Sequence, residues 1–462
     1  MRRIAMGALI VACVAAAAPA DPPVGWRTDG TGRYPQTQPP SQWSQRDNVL
    51  WHTPTPQWSN AMPVVVNGKV VVTAEPATLM CVDASDGSVL WQEDFGYDRV
   101  FSEEELAKAE QARQIREELS SLERELRELQ REIKRSEGDP QAAAELEAQA
   151  EQLKQQVEQT KERLKPYRQY LKPPAHGTNG YASATPVCDG RDVFAVFGTA
   201  VAVCCGLDGK VRWIRRVDRP RHGWGHSTSP VLAADKLILH INDITALDPE
   251  SGEELWRTPA QVSFGTPAVV SLEGGDIIIT PRGDFVRAED GRKLASVNTG
   301  LEYNSPIVHD GVVYFVADSK GRATAVRLPE AAEPFEPELL WQVKITENRY
   351  YGSPVFRDGR IYAVTQSHQL TVLDASDGST IYETRMPGMP GLVFPSIVMT
   401  RDSLLVSTEK GMTVLLSDGD EYEELGRNKL GDFRSTPVFD EGRMYVRTRS
   451  GIFCISSAAE ED

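Results

Sequence analysis

The sequence predicts an all-β protein: an eight-bladed β-propeller of four-stranded antiparallel blades, with an antiparallel α-helical coiled-coil hairpin inserted in the first blade. Three observations predict it. A unit opened by a proline recurs eight times, each unit holds short alternating strands separated by tight-turn dipeptides, and the one break in the period is filled by heptad-patterned helices. A chain of 462 residues could hold several average domains, but a closed array of repeats uses the whole length as one.

The opening prolines are Pro63, Pro186, Pro230, Pro267, Pro306, Pro354, Pro395 and Pro437, with successive gaps of 123, 44, 37, 39, 48, 41 and 42 residues. Removing residues 97–175 from the first gap leaves 44 residues and restores the period. In the sixth unit Pro354–Phe356 reads as a first strand, Arg360–Thr365 as a second and Leu370–Leu373 as a third, and Asp377-Gly378 turns the chain into a fourth. Asn67-Gly68, Asp189-Gly190, Asp310-Gly311 and Asp358-Gly359 recur at one place in four units. A two-residue hairpin turn there needs positive φ at both central positions, which Gly, Asn and Asp adopt most cheaply. The last unit runs through Gly451–Ile455 without a fourth strand, and Asn48-Val49-Leu50-Trp51 is expected to supply it, so that the two chain ends close the ring.

Ser102-Glu103-Glu104-Glu105 has the spacing of a capping box, which starts a helix. Ile115, Leu119, Leu122, Leu126, Leu129 and Ile133 follow at alternating steps of four and three, the seam of a coiled coil. Asp139-Pro140 then suits the N-cap and first turn of a second helix, carrying Leu146, Ala150, Leu153, Val157, Thr160 and Leu164. Helices of this length reach about 40 Å at 1.5 Å per residue, so the hairpin should project from the ring. It reads either as a passive coiled coil or as an arm that docks a partner or a second copy through Ile115, Leu119, Leu122, Leu126, Leu146, Leu153 and Val157.

Arg2-Arg3, the apolar run Ile4–Ala18 and Ala18-Pro19-Ala20 have the order of a secretory signal peptide over residues 1–20. A competing reading takes Ile10–Cys13 as a lipobox, with Cys13 lipidated and the protein held at the outer membrane. The expected division is then a leader, a Pro-rich segment 21–47, a closing strand with the first blade 48–96, the hairpin 97–175, the remaining blades 176–456 and an acidic tail 457–462. The net charge of −16 excludes a nucleic-acid partner, which needs basic patches. The hairpin region, with 14 basic and 17 acidic residues over 101–172, accounts for little of that acidity. Beyond Cys13 the five cysteines Cys81, Cys188, Cys204, Cys205 and Cys454 are too few and scattered for a disulfide framework.

Several units close on a pattern that resembles the tryptophan-docking repeat of the pyrroloquinoline-quinone (PQQ)-like propellers. Ala246, Asp248, Gly252 and Trp256 match it fully; Cys81, Asp83, Gly87 and Trp91 match with Cys for Ala; Val372, Asp374, Gly378 and Tyr382 match loosely; Val203, Cys205, Gly209 and Trp213 keep only the Gly and Trp. The resemblance spans nearly all of the chain outside the hairpin and leader. It implies the propeller fold and a structural role for Asp83, Trp91, Trp213, Asp248, Gly252, Trp256 and Asp374. Its members include quinoprotein alcohol dehydrogenases, which bind PQQ with calcium against a vicinal cysteine disulfide, and the propeller lipoprotein of the outer-membrane barrel assembly machinery, which is similar in fold.

On the repeat, Cys204 and Cys205 fall on a third strand, where a core role is expected. No Glu, Asn and Asp set stands out as calcium ligands, so the expectation is no cofactor, with PQQ and calcium as the alternative. His222 and His226 flank a loop tryptophan without a third ligand near in sequence, and no metal site is expected. An aromatic lies within six residues of every opening proline: Trp58, Tyr181, Trp224, Phe264, Tyr303, Tyr351, Phe394 and Phe433. In a propeller this stretch feeds the innermost strand, so these rings, with His226 and Arg434, either pack between blades or line a funnel for a flat ligand or extended peptide. The sequence thus reads as an exported, periplasmic or envelope binding or scaffolding protein without catalytic residues. Its partner would be an unidentified envelope protein or peptide, with self-association through the hairpin, and membrane contact only if Cys13 is lipidated. The reading from another class is a PQQ-dependent oxidoreductase.

Overall fold

The computed structural model describes residues 22–136, 138–318 and 320–456; the leader with Cys13 and the acidic tail lie outside them. Runs of β-branched and aliphatic residues, broken every few positions by turn residues, pair into eight antiparallel four-strand sheets. Blade 1 comprises Val64–Val66, Lys69–Ala74, Thr78–Asp83 and Val89–Asp94. Blade 8 joins Val438–Asp440, Arg443–Arg447 and Gly451–Ile455 to Val49–Pro54, with Trp51 opposite Cys454. The N-terminal strand therefore closes the last blade.

Each pair of neighbouring blades shares an apolar core, and the sequence of cores runs round the ring until Val438, Tyr445 and Ile452 of blade 8 meet Val70 and Val82 of blade 1. A tryptophan on five fourth strands reaches across this seam. The indole N–H groups of Trp51, Trp91, Trp213, Trp256 and Trp341 donate to the carbonyls of Ala84, Leu207, Pro249, Ala288 and Ala375 at 2.8–3.2 Å, each on the next blade. The ring of Trp213 lies on Gly252, whose φ is +72° and where a Cβ would come within 2.8 Å of the indole. The motif glycine thus serves the neighbouring blade's tryptophan as well as its own turn. Asp248 accepts from the Ser251 and Glu250 amides, and these bonds hold its carboxyl below the usual range.

Three details of the repeat differ from expectation. The first strand of blade 7 begins at Val398, so Ile397 rather than Pro395 occupies the proline position. Among the four Asx-Gly turns, Asn67, Asp310 and Asp358 have positive φ, but Asp189 does not; its carboxylate instead accepts from the Arg191 and Asp192 amides. The shorter Gly206–Gly209 turn of blade 2 also shifts the register by one, setting Cys204 rather than Val203 opposite Trp213, as Cys81 lies opposite Trp91.

The hairpin follows the fourth strand of blade 1. Helix α1 (Glu103–Arg135) starts at the Ser102–Glu105 capping box, and α2 (Pro140–Leu164) at Asp139, which accepts from Gln141 and Ala142. The seam residues Ile115, Leu119, Val157 and Leu164 bury against one another, while Leu122 and Leu126 are only partly covered. At the base Arg216 of blade 2 lies over the Phe101 ring, 4.8 Å away, and pairs with Glu105 at 3.2 Å. Arg219 donates to the carbonyls of Leu171 and Lys172.

The Pro-rich segment has a structure the composition did not announce. Val24 pairs with Cys188 on the innermost strand of blade 2. Arg27 then crosses the channel: its amide donates to Met62 Sδ of blade 1 at 3.0 Å, and its guanidinium to Pro354 O and Ile397 O of blades 6 and 7, both at 2.8 Å. Arg33–Tyr34 adds a parallel fifth strand to blade 7. One end of the central channel is thereby plugged.

Candidate functional site

Counting back from the proline position, the third residue of each blade is Asn60, Ser183, Ser227, Phe264, Tyr303, Tyr351, Phe394 and Arg434, and the first is Met62, Thr185, Ser229, Thr266, Ser305, Ser353, Ser396 and Thr436. All of them line one funnel of about 410 Å3, on the axis of the ring, with Trp26 of the plug in its wall. The lower ring is made by hydrogen bonds between blades. The Met62, Thr185, Ser229, Thr266, Ser305, Ser353 and Ser396 amides each donate to the hydroxyl of the next blade at 2.8–3.2 Å. Only small hydroxyl side chains could do this where eight backbones converge. Met62 breaks the circle, and its sulfur takes the Arg27 amide instead.

The upper ring is divided. On blades 4 to 7 it is a continuous aromatic arc: Phe264 stacks on Tyr303 at 6.2 Å, Tyr303 meets Tyr351 edge-on at 5.1 Å, and Tyr351 stacks on Phe394 at 4.7 Å. Arg434 ends the arc, its guanidinium 4.5 Å from the Phe394 ring and 2.7 Å from Glu409. Arg349 adds a second cation, 3.4 Å from the Tyr351 hydroxyl, which together with the phenol's partial charge raises its pKa. On blades 8, 1 and 2 the wall is polar and is completed by the segment leaving the hairpin. The Thr178 carbonyl accepts from Arg434 and from Asn60 at 2.8 and 2.9 Å, and Asn179 donates to Trp224 O at 3.0 Å. Trp224 and Leu392 stand exposed on the rim, at 46% and 36%.

Of the residues expected to line the funnel, Trp224, Phe264, Tyr303, Tyr351, Phe394 and Arg434 do so. Four do not. Phe433 is buried in the blade 7–8–1 core, Trp58 lies under the Arg449 guanidinium, and Tyr181 donates to Pro173 O at the hairpin base. His226 is buried with its Nε2 unpartnered, and burial pushes its pKa down to about 3. Trp224 reaches the wall from six residues before its proline; for the other aromatic residues an offset of three from the proline position separates wall from core. A small hydroxyl residue stands directly before the proline in six blades, with Met62 and Phe394 in that place in the other two. Of the hairpin residues expected to meet a partner, Ile115, Leu119, Leu153 and Val157 are buried between the helices, while Leu122, Leu126 and Leu146 are half-buried.

Cys204 and Cys205 are unpaired and point to opposite faces of their strand, one into the blade 2–3 core beside Trp213 and the other into the blade 1–2 core. Burial raises both thiols, that of Cys205 to about 12, so neither is a thiolate nor within reach of the funnel. Glu409, the one wall carboxylate among the described residues, is paired with Arg434, and no group of three metal-ligating side chains occurs among them. These residues do not fit a calcium-held quinone.

The model of the family described as outer membrane protein assembly factor BamB matches residues 40–111, 240–331 and 331–462. The chain belongs to this family. Within it, BamB of Yersinia pestis is 23% identical over 248 residues, 53% of each protein, so the chain spans about half the length of the curated relative it matches. In three dimensions BamB of Moraxella catarrhalis superposes with a TM-score of 0.55 at 10% identity, over 88% of this chain and 98% of that one. A quinohemoprotein alcohol dehydrogenase from Comamonas testosteroni gives 0.52 at 11% identity, over 95% and 82%. At these identities the likenesses establish the PQQ-like propeller fold that BamB shares with the dehydrogenases.

Proposed function

We propose that this BamB-family propeller is a protein-binding scaffold of the cell envelope that engages its partner with the funnel face and the helical arm together. The observation that carries the reading is the segment 173–180, which leaves the arm and forms part of the funnel wall through Thr178 and Asn179. A partner held by the arm is thereby presented to the funnel. Export by residues 1–20 and attachment through Cys13 belong to the same proposal.

The test is an envelope pull-down with the full chain and with a variant in which residues 122–157 are replaced by a short Gly-Ser turn. Glu118 bonds Arg163 and Thr160 across the hairpin, so this cut keeps paired ends and the anchored base. Loss of a specific co-purifying protein from the shortened chain is expected. An unchanged set of partners would remove the arm from the function.

A further inference from the structure

Seven hydroxyls form the lower ring of the funnel, those of Thr185, Ser229, Thr266, Ser305, Ser353, Ser396 and Thr436. Each accepts a backbone N–H from the preceding blade, and none donates to a protein acceptor among the described residues. Seven O–H groups thus converge on one small space with their protons uncommitted, and a hydroxyl has both a donor and acceptor capacity to fill. Directly beneath lies Arg27. Its guanidinium is fully buried outside the funnel lining, over the Trp26 ring and against Gly32; it donates to the carbonyls of Pro354 and Ile397, next along the chain from Ser353 and Ser396, its Nε is unpartnered, and no carboxylate lies within ion-pair distance among the described residues. A buried charge offset only by the more distant Asp29 carboxylate is costly, and the ring of donors cannot neutralise it. Among the charged residues of the funnel wall Glu409 offsets Arg434, and Arg349 has no ion pair within 4 Å among the described residues, its nearest attractive carboxylate being Glu302 outside the wall, so the wall itself carries one excess positive charge in a chain of net charge −16.

We propose that this hydroxyl crown, with the Arg27 guanidinium behind it, is a carboxylate-binding site, and that the funnel takes a ligand whose carboxylate sits on the crown while an attached aromatic group packs in the Phe264–Phe394 arc. The inference rests on the funnel being the ligand-facing side of the propeller, as argued above. Crown and arc are two residues apart along each blade, a span of at most about 7 Å. That length matches a short spacer between ring and carboxylate. The chemistry fits a free aromatic acid and the C-terminal aromatic residue of a polypeptide equally, and a neutral amide would offer the crown one acceptor oxygen in place of two and no negative charge.

The probe is 3-phenylpropionate, titrated by calorimetry and by intrinsic fluorescence, since Trp26 and Trp224 both lie in the funnel wall. The acid is expected to bind at least tenfold more tightly than 3-phenylpropanamide, and the difference should shrink with added salt. A tripeptide ending in free Phe, run against its C-terminal amide, separates the sources: tighter binding than the small acid assigns the site to a chain terminus, weaker binding to a free acid. Ser353→Ala with Ser396→Ala should abolish the acid-over-amide preference. Because those hydroxyls also tie blades together, Arg349→Gln, at an exposed side chain, is the second variant and should weaken the acid several-fold with the amide unchanged. Equal affinity for acid and amide, or no binding of either by the folded protein, overturns the site. A pull-down that still depends on the arm in that case would leave the scaffold reading standing.

Discussion

Gly252 carries two demands at once, a left-handed backbone and room for the Trp213 ring of the blade before it. Gly252→Ala should therefore cost about 1–2 kcal/mol for the backbone and a further ~1–3 kcal/mol for moving the indole. Gly359, at φ +76° with nothing within 4 Å of a built Cβ, should lose only the first of these when changed to Ala. Denaturant midpoints at constant slope would separate the two, and equal losses would refute the docking role. His226 and His240 make a second case, since burial holds their pKa values at about 3 and about 4 in the folded chain. Unfolding lets each rise toward 6.5, so the unfolded chain takes up protons that the folded chain refuses. Stability from this source is complete above pH 6.5 and falls, by ~1.4 kcal/mol per pH unit for each, as pH drops toward 4. A His226→Gln, His240→Gln variant should show a flatter dependence of unfolding free energy on pH over that window than the parent; a parallel curve would contradict the neutral burial.

The arm and the blades are separate kinds of element, held by separate contacts. Leu119 is buried only against α2 and the base, so Leu119→Ala should remove about 2–4 kcal/mol from the arm and little from the ring. Hydrogen exchange should then accelerate across residues 103–164 while amides of blade 1 stay protected; acceleration in both would mean that arm and blade unfold together. The arm was readable because a coiled-coil seam, a capping box and Asp139-Pro140 are local signals that need no tertiary context. Blade strands were readable for the same reason, through turns such as Asp358-Gly359. The segment 22–47 was not, because its structure comes from a bridge to Cys188, the buried bonds of Arg27 and a two-residue strand on blade 7, all made with residues far along the chain. The funnel wall fell between: aromatic residues were visible, but which of them face the axis depends on the pleat at one fixed offset from the strand, and Phe433 fell one residue short of the wall position held by Arg434.

At the scale of the whole ring, Trp51 joins the two chain ends, packing with Tyr445 and Met444 of blade 8 and donating to Ala84 of blade 1. Trp51→Ala should cost about 3–5 kcal/mol and, more tellingly, loosen the junction of blades 8 and 1 ahead of the rest. Protease sensitivity confined to that junction, or a second unfolding transition, is the expected result, whereas a single transition with uniform loss would show that closure adds nothing beyond ordinary packing. The closing strand precedes its partner Gly451–Ile455 by seven blades of chain, and 390 residues separate Gln57 from the Arg447 that holds its carbonyl. A strand that must wait so long cannot guide folding; it can only certify it. Any copy cut short or stalled before blade 8 is left with an unzipped edge at Val49–Pro54 and a bare flank on blade 1, both open to proteases, so the closing strand works as a test of whether the ring was completed.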